Sequence, residues 1–413
     1  MTDPCRDPVG AMLPLEAALA RLLAEIAPLP HRERLPLRAG LHRILAEDFR
    51  APRPLPNWRN AAMDGYALRS AEVAPDGETC LKVKGTSWAG RPFDGVLEAG
   101  ECVRVFTGAV LPDGADAVVM QERVRQAGDA ILVSTPVVPN EFVREAGEDI
   151  PAEAVALTAG KRLTPSDLGL LAALGACEIS VRQRPRVAFF STGDELRPAG
   201  APLQPGEIYD SNRTLLHGLL AECGVEALDL GRVPDRLETT RTVLSEAAEM
   251  ADVVIATGGA SVGEADLIRG ALQEQGALRF WRVAIKPGKP FIHGRIGEAQ
   301  FFGLPGNPVS VWITFRQLVR PALDKLAGAQ PAAPLRIPVL SREGLRKEPG
   351  RLEFRRGRLE QDAGGTLWVH ALSGQGAHQL KSLSDADCLI VLPADCRSVA
   401  AGEAVWVEPL SRG

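Results

Sequence analysis

Residues 253–266 read Val253-Val254-Ile255-Ala256-Thr257-Gly258-Gly259-Ala260-Ser261-Val262-Gly263-Glu264-Ala265-Asp266, and a helical pattern follows from about Leu267. An apolar run, a glycine-rich turn and a helix start predict a buried strand that delivers a loop to a helix N-terminus. Small residues in such a loop let backbone N–H groups approach a phosphate, and the helix dipole adds about half a positive charge there. Glu264 and Asp266 lie in the same loop and would repel a bare phosphate. The cradle therefore calls for a divalent cation, a proton to be moved, or a polar heterocycle beside it.

The flanking sequence extends this unit. From residue 186 onward, the apolar run 187–190, a helical pattern over 212–222, the run 225–228, a helical pattern over 237–250 and the run 253–256 alternate. Strands and helices in alternation predict a three-layer α/β domain over residues 181–328, with a mainly parallel sheet covered by helices on both faces. Ligands of such sheets sit at the carboxyl ends of the strands, where the polar motifs fall. Before it, residues 1–180 begin with an amphipathic helix (Leu15, Leu19, Leu22, Ile26) ended by Pro28 and Pro30. They continue through short β-rich runs over about 52–140, read as an inserted β domain, to a helix expected over 161–177. After Gly328 a proline-bearing linker leads to a C-terminal β domain over 332–413, ending in Ala404-Val405-Trp406-Val407.

Composition narrows the partners. The net charge of −5 offers no basic field, which argues against nucleic acid, and no stretch reaches the length of a membrane span. Seven scattered cysteines without a CxxC pair predict neither a disulfide framework nor structural zinc, and the cytoplasm is the expected location. An anionic ligand must then be captured by local cations and amides.

Several loops carry the residues for that. Ser191-Thr192-Gly193-Asp194-Glu195 follows the first strand as a second hydroxyl-glycine-carboxylate turn. Asp210 or Ser211 is positioned to cap the next helix, with Asn212 in its first turn as the better ligand candidate. Ile285-Lys286-Pro287-Gly288-Lys289-Pro290 concentrates two of only eight lysines, against thirty-nine arginines, on a proline-braced loop suited to an oxyanion. A lysine such as Lys347 is expected to be an ordinary surface residue by contrast. In Gly303-Leu304-Pro305-Gly306-Asn307-Pro308, Asn307 and Pro308 suit a helix start while the glycines bring backbone close to the neighbouring loops. In the N-terminal half, residues 60–67 form an exposed-looking turn around Asp64, and Thr107 and Asp149 lie in further glycine turns. No Walker lysine, GxGxxG, Ser-His-Asp order or histidine cluster accompanies the strands, so hydrolase and dinucleotide readings lose support.

In chain order the segments AAMDGYA (61–67), PDGADAVV (112–119), REAGEDI (144–150), STGDEL (191–196), IYDSNR (208–213), TGGASVGEAD (257–266), IKPGKPF (285–291) and GLPGNPVS (303–310) resemble the molybdopterin molybdenumtransferase family. The match spans nearly the whole chain. TGGxS with nearby acids also looks like the smaller molybdopterin adenylyltransferases and competence-associated proteins, whereas the ordered set is specific. The resemblance implies an enzyme that takes adenylylated molybdopterin and molybdate, inserts molybdenum at the dithiolene with Mg²⁺ assistance, and releases AMP. It implies an acidic core of Asp266, Glu195 and Asp235, with Glu195 and Asp266 as Mg²⁺ holders and Asp64 and Asp149 as further catalytic carboxylates. Thr107, Ser191, Thr192, Gly193, Asp194, Asp210, Ser211, Asn212, Gly258, Gly259, Ser261, Gly263, Glu264, Pro305, Gly306 and Asn307 are the implied substrate contacts. Lys286 and Lys289 would hold the oxyanion. Arg282 stands where the family often has lysine and can still grip an anion, while Ala377 replaces a common serine and removes its hydroxyl. The family also implies an elongated subunit and a homodimer in which the N-terminal region of one protomer completes the other's site. Molybdopterin adenylyltransferase and apo-molybdoenzymes are the implied protein partners. Adenylyl transfer to molybdopterin, and a non-catalytic pterin-binding scaffold, are the alternatives.

Overall fold

The computed structural model describes residues 12–258, 268, 270, 278–330 and 332–410. They divide into two compact units, Arg34–Val181 on the one hand and Met1–Glu33 with Arg182–Gly413 on the other.

The larger unit is built on a six-stranded sheet in the order Glu226–Val233, Arg186–Thr192, Val253–Thr257, Ala299–Leu304, Pro290–Ile296, Leu278–Arg282. The first four strands are mutually parallel. The last two join antiparallel, through a tight turn at Gly297 (φ +57°) between Pro290–Ile296 and Ala299–Leu304. Alternation along the strands sorts side chains to opposite faces. Val187, Phe189, Val253, Ile255, Phe302 and Leu304 pack on one side with Leu216 and Leu220 of the helix Ser211–Cys223 and with residues 309–326. Ala188, Phe190, Val254, Ala256 and Phe301 pack on the other with Leu244 and Ala247 of the helix Leu237–Met250. Three layers result. Because Arg186–Thr192 has Glu226–Val233 on one side and Val253–Thr257 on the other, the winding reverses there, and the crevice opens at the carboxyl ends of these strands.

The helix start read at Asn307 and Pro308 opens Pro308–Thr314, which continues through a π-helical turn Phe315–Val319 into Arg320–Leu326. Pro321 cannot donate to the Gln317 carbonyl, so the regular ladder yields at that point. Beyond the linker, Leu352–Gln361, Leu367–Ala371, Ile337–Ser341, Ala404–Pro409 and Cys388–Leu392 pair in a closed ring of five strands around Val339, Val369, Ile390, Val405 and Val407. Gly357 lies inside this ring, where a Cβ would come within 2.9–3.0 Å of Val369, Cys388 and Ile390. The two-residue strand Ile285–Lys286 adds to the start of Leu352–Gln361.

The smaller unit contains a second six-stranded sheet, ordered Ala117–Met120, Gly65–Leu68, Glu101–Val105, Thr79–Ser87, Ala130–Val133, Val124–Ala127, with an apolar cluster on each face. The helix expected over 161–177 is only Pro165–Ala173. Thr164 and Asp167 form a reciprocal capping box with Pro165 at the first position, and Arg162 is already engaged in a β-bridge with Ile44. The turn expected to be exposed around Asp64 is flanked by buried strands, Asn60–Ala61 and Gly65–Leu68. A Cβ on Gly65 would lie 2.0 Å from the Val119 carbonyl, so only glycine fits. Among the described residues no helix is long and apolar enough to cross a membrane.

Candidate active site

Three strand ends meet at the switch of the central sheet. Thr192 Oγ1 donates to the Thr257 carbonyl at 3.2 Å, binding the first two ends together. Gly258 follows with φ +94°, and a Cβ there would come within 2.5 Å of the Thr192 carbonyl oxygen and 2.8 Å of its hydroxyl. Both the backbone twist and the space demand glycine. From the third strand end, Gly306 approaches so that its own Cβ would be 3.8 Å from the Gly258 Cα. Asn212, in the first turn of the neighbouring helix, donates through Nδ2 to the Gly306 carbonyl at 2.6 Å. Its Oδ1 is consequently turned away, buried and without a hydrogen-bond partner among the described residues. That leaves an acceptor waiting for an N–H, an O–H or a cation.

An acidic corner adjoins this cradle. Gly193 has φ +143°, and the Glu195 carboxylate folds back to within 2.7 and 2.9 Å of where a Cβ would stand. The Asp194 amide donates to Asp235 Oδ2 at 3.3 Å, and Arg232 reaches the Gly193 carbonyl at 3.3 Å and the Asp194 carboxylate at 3.8 Å. Asp235 Oδ1 is buried and has no hydrogen-bond partner among the described residues. Burial pushes the Asp235 carboxyl above the ordinary value, with the Asp194 and Glu195 carboxylates adding to it and the Asp194 amide and Arg232 opposing. Asp194 and Glu195 themselves are exposed.

Other residues singled out in the sequence hold this edge in place. Ser191 is fully buried and donates its hydroxyl to Asp210 Oδ2, while Asp210 Oδ1 caps the helix by accepting from the Arg213 amide at 3.1 Å. Of the two cap candidates it is Asp210, and Ser211 is the first helical residue. Asn307 occupies the cap position of Pro308–Thr314 but makes no capping bond through its side chain, contrary to the expectation; the Val309 amide is instead taken by the Ala377 carbonyl at 3.0 Å. Pro305 is buried behind it, with Gly306 and Asn307 exposed.

Lys286 is half exposed, its ammonium 3.4 Å from Glu353 Oε2, and Glu353 Oε1 accepts from Arg355 at 2.8 Å. Arg282 and Lys289 are exposed. Gly288 (φ +109°) lets the lysine loop press on Thr314, whose hydroxyl oxygen would be 2.7 Å from a Cβ there. Lys347 is not the surface residue expected from sequence: it is buried, donating to the carbonyls of Glu348, Ala394 and Cys396, each at 3.2 Å. Gly259, Ser261, Gly263, Glu264 and Asp266 lie outside the described residues.

In the smaller unit, the Thr107 amide and hydroxyl both donate to Asp64 Oδ1 at 2.8 Å. These two bonds hold the Asp64 carboxyl below its ordinary value, with Arg104 contributing and slight burial opposing. Asp149 is exposed in its turn, its amide bonded to the Leu55 carbonyl at 3.0 Å.

Sequence reasoning passed over Arg232, Glu353 and Arg356. Arg356 is fully buried, and its guanidinium donates to the carbonyls of Gly374 (2.8 Å) and Gly376 (3.0 Å) and to Ser382 (3.3 Å), fixing the loop that carries Ala377. The available signal was an arginine pair set within the strand pattern Leu352-Glu353-Phe354-Arg355-Arg356.

Three family models match the chain: the MoeA N-terminal region (domains I and II) over residues 13–175, the "Probable molybdopterin binding domain" over 188–325, and the MoeA C-terminal region (domain IV) over 339–410. A molybdopterin molybdenumtransferase of Haemophilus influenzae is 40% identical over 97% of this chain and 99% of its own length. One from Synechococcus elongatus is 38% identical over 97% and 100%. The crystal structure of a molybdopterin biosynthesis MoeA protein from Pyrococcus horikoshii OT3 superposes with a TM-score of 0.84 at 30% identity, covering 97% of this chain and all of that one. With relatives of this identity matched end to end, the chain belongs to the molybdopterin molybdenumtransferase family.

Proposed function

We propose that this chain is a molybdopterin molybdenumtransferase that takes adenylylated molybdopterin and molybdate, inserts molybdenum at the dithiolene and releases AMP. The observation that carries this reading is the crowded edge of Thr192 and Gly258, with Gly306 and the Asp235 corner beside it. Glycine backbone can close on a phosphate there, and the unpartnered Asp235 oxygen offers a place for a cation or a proton. Lys286 and Lys289 add compact positive charge for molybdate or the adenylate phosphate. No covalent nucleophile is needed from the protein, because the substrate's thiolates receive the metal while a molybdate oxygen or water attacks phosphorus.

Mg²⁺ fits this donor set. Among the described residues no three histidine, cysteine or acidic side chains converge as a cage. Mg²⁺ is usually held by one or two carboxylates, with water and substrate phosphate completing its shell. Asp235 and Glu195 would hold it, together with Asp266. Bound there, the ion would offset the charge that grows on the phosphate as its anhydride breaks. Asn212 Oδ1 meanwhile orients a donor group of the substrate, and Arg232 keeps the Gly193 turn in place.

We further propose a cytoplasmic homodimer in which Asp64, Thr107 and Asp149 of one protomer serve the cradle of the other, handing its product to apo-molybdoenzymes and receiving substrate from molybdopterin adenylyltransferase. Purified protein given molybdopterin-adenylate, Mg²⁺ and molybdate should release AMP. No release from verified substrate would overturn the reading, and consumption of ATP with molybdopterin would assign adenylyl transfer instead. Mixing Asp64→Asn and Lys286→Ala chains should give more activity at limiting molybdate than either variant alone, and no gain in verified mixed dimers would rule out a shared site.

A further inference from the structure

The helical segment after the cradle loop carries a cationic feature that the reading above does not use. Trp312, Arg316 and Arg320 recur every fourth residue along Pro308–Thr314, Phe315–Val319 and Arg320–Leu326, a spacing that sets them on one face. With Phe315, with Glu222 of the helix Ser211–Cys223 and with Leu410, they line a cavity of about 80 Å³. One water takes roughly 10–15 Å³ of such space, and drug-sized ligands need roughly 300–1,000 Å³. The cavity therefore admits a group of a few heavy atoms and excludes a pterin or a nucleotide. It is also remote from the crevice. Ser211 opens its helix at the crevice, and Glu222 lies near the other end, about 16 Å further along the axis.

Charge inside the cavity is unbalanced. Among the described residues the Arg316 guanidinium donates from Nη2 to the Pro409 carbonyl at 3.3 Å, and its buried Nε has no hydrogen-bond partner. The Trp312 ring backs the same group, with its centroid 5.5 Å away. Glu408, next to Pro409, is already committed: its Oε1 accepts from Arg336 at 3.1 Å and its Oε2 from Gln317 at 2.9 Å. Burial lowers the Arg316 guanidinium from its ordinary value, with Glu408 opposing, Arg320 adding and Glu222 opposing. A guanidinium keeps its proton all the same, so its burial calls for a paired anion. Glu222 supplies little of that, since its carboxylate is 4.0 Å from Arg320 and its side chain is 68% exposed. Two guanidinium groups thus face one loosely held carboxylate.

From this cavity and its charges we propose a binding site for a small tetrahedral oxyanion of charge −2, such as sulfate or hydrogen phosphate, gripped by Arg316 and Arg320 once Glu222 turns out to solvent. The planar fork of arginine matches such an ion, and two forks match its double charge. The negative end of the helix Ser211–Cys223 opposes an anion, but that field fades within the last turn and is weaker than direct contact with two guanidinium groups. The site stands on cavity and charge alone and needs no part of the molybdenumtransferase reading.

The test is nuclear magnetic resonance of the full-length protein labelled with nitrogen-15 at arginine. The Arg316 Nε–H signal, assigned through Arg316→Lys, is followed as sodium sulfate replaces sodium chloride at constant ionic strength. It should move saturably. Arg320→Gln, a change at a partly exposed position, should weaken the fitted sulfate affinity about tenfold, the loss expected for one charged contact. Glu222→Gln should tighten it about threefold or more, because a competing carboxylate is gone. Acetate, with a single charge, should bind at least about tenfold more weakly than sulfate, and Lys286→Ala should leave the titration unchanged. Glycerol 3-phosphate separates the sources: sulfate binding without it assigns the cavity to free ions, equal binding assigns it to the head of a larger phosphate ester, and either upholds the site. No saturable movement, an affinity that ignores Arg320→Gln, acetate bound as tightly as sulfate, or weaker binding in Glu222→Gln would each overturn it. A loss in Lys286→Ala would place the anion at the crevice and overturn it as well.

Discussion

Asp235 and Asp64 are both carboxylates at the end of a strand, and their surroundings drive them in opposite directions. Asp235 is partly buried beside two other acids, keeps one oxygen without a hydrogen-bond partner among the described residues, and has its carboxyl pushed up. Asp64 is held by the Thr107 amide and hydroxyl and has its carboxyl pushed down. A buried oxygen left unpaired costs on the order of 1–3 kcal/mol, so the corner around Asp235 is a place where stability has been given up. Such a group gains most when a cation or proton arrives. Asp64 gains nothing from a proton and acts as a fixed acceptor. The larger unit therefore holds the tension of the site, and the smaller one holds a preset contact.

The largest effect should come from adding to the crowding that defines the tense edge. Gly258→Ala places a methyl 2.5 Å from the Thr192 carbonyl in a left-handed backbone. AMP release should fall a hundredfold or more, and the urea midpoint should drop by the equivalent of about 1–3 kcal/mol. Gly306→Ala, whose nearest neighbour would be 3.8 Å away, should stay within about threefold; equal behaviour of the two would break the argument from close approach. Next in size is Asp235→Asn. Removing the group that takes up a cation or proton should lower AMP release by roughly a hundredfold. Stability should move the other way. A carboxyl raised in the folded state disfavours folding once ionised, so the penalty is absent below pH 3.8 and grows as pH rises from there through the raised folded value. Asp235→Asn should accordingly match or exceed the wild-type urea midpoint at pH 7, with the difference closing on acidification. A clear loss of stability at pH 7 would mean that Asp235 is a structural acid.

How much of this was legible in the sequence follows from what each feature depends on. The three-layer sheet was readable because Val187–Phe190, Val253–Ala256 and the helix Leu237–Met250 are set by local apolar pattern, which burial then enforces. The turn chemistry after two strands was readable for the same reason. Which hydroxyl faces the crevice was not. Ser191 and Thr192 are adjacent, and only the strand's pleat decides that Ser191 turns to Asp210 while Thr192 crosses to Thr257. Lys347 defeated the composition argument because its three acceptors come from residues 348, 394 and 396, brought together by the closed C-terminal ring. The antiparallel strands at the sheet edge and the π turn before Pro321 likewise depend on pairing partners and on backbone strain, which local apolar pattern does not encode.

Lys286 lies between the extremes. Glu353 is also bonded by Arg355, so removing the lysine leaves that buried carboxylate paired and the fold little changed. Lys286→Ala should therefore act on the anion, raising the KM for molybdate about tenfold or more, as one charged contact implies. Lys381→Ala is the proper control, since its side chain is 82% exposed and pairs with Asp385 on the helix surface. Equal KM values for the two variants would remove Lys286 from the oxyanion site.

The smallest effect tests the other arm of the comparison. Asp64→Asn retains the side-chain shape and one acceptor oxygen for Thr107 but not the charge that strengthens both bonds. A carboxyl lowered in the folded state contributes stability that is complete above pH 3.8 and is lost as pH falls through the lowered folded value. At pH 7 the variant should thus unfold at slightly lower urea than wild type, the opposite sign to Asp235→Asn, and the gap should narrow as pH drops through 3.8. Because Asp64 is only partly covered, solvent screens the interaction and the shift should be small. If both substitutions moved the midpoint in the same direction at pH 7, the two carboxylates would share one electrostatic state, and the division between a tense edge and a preset contact would fail.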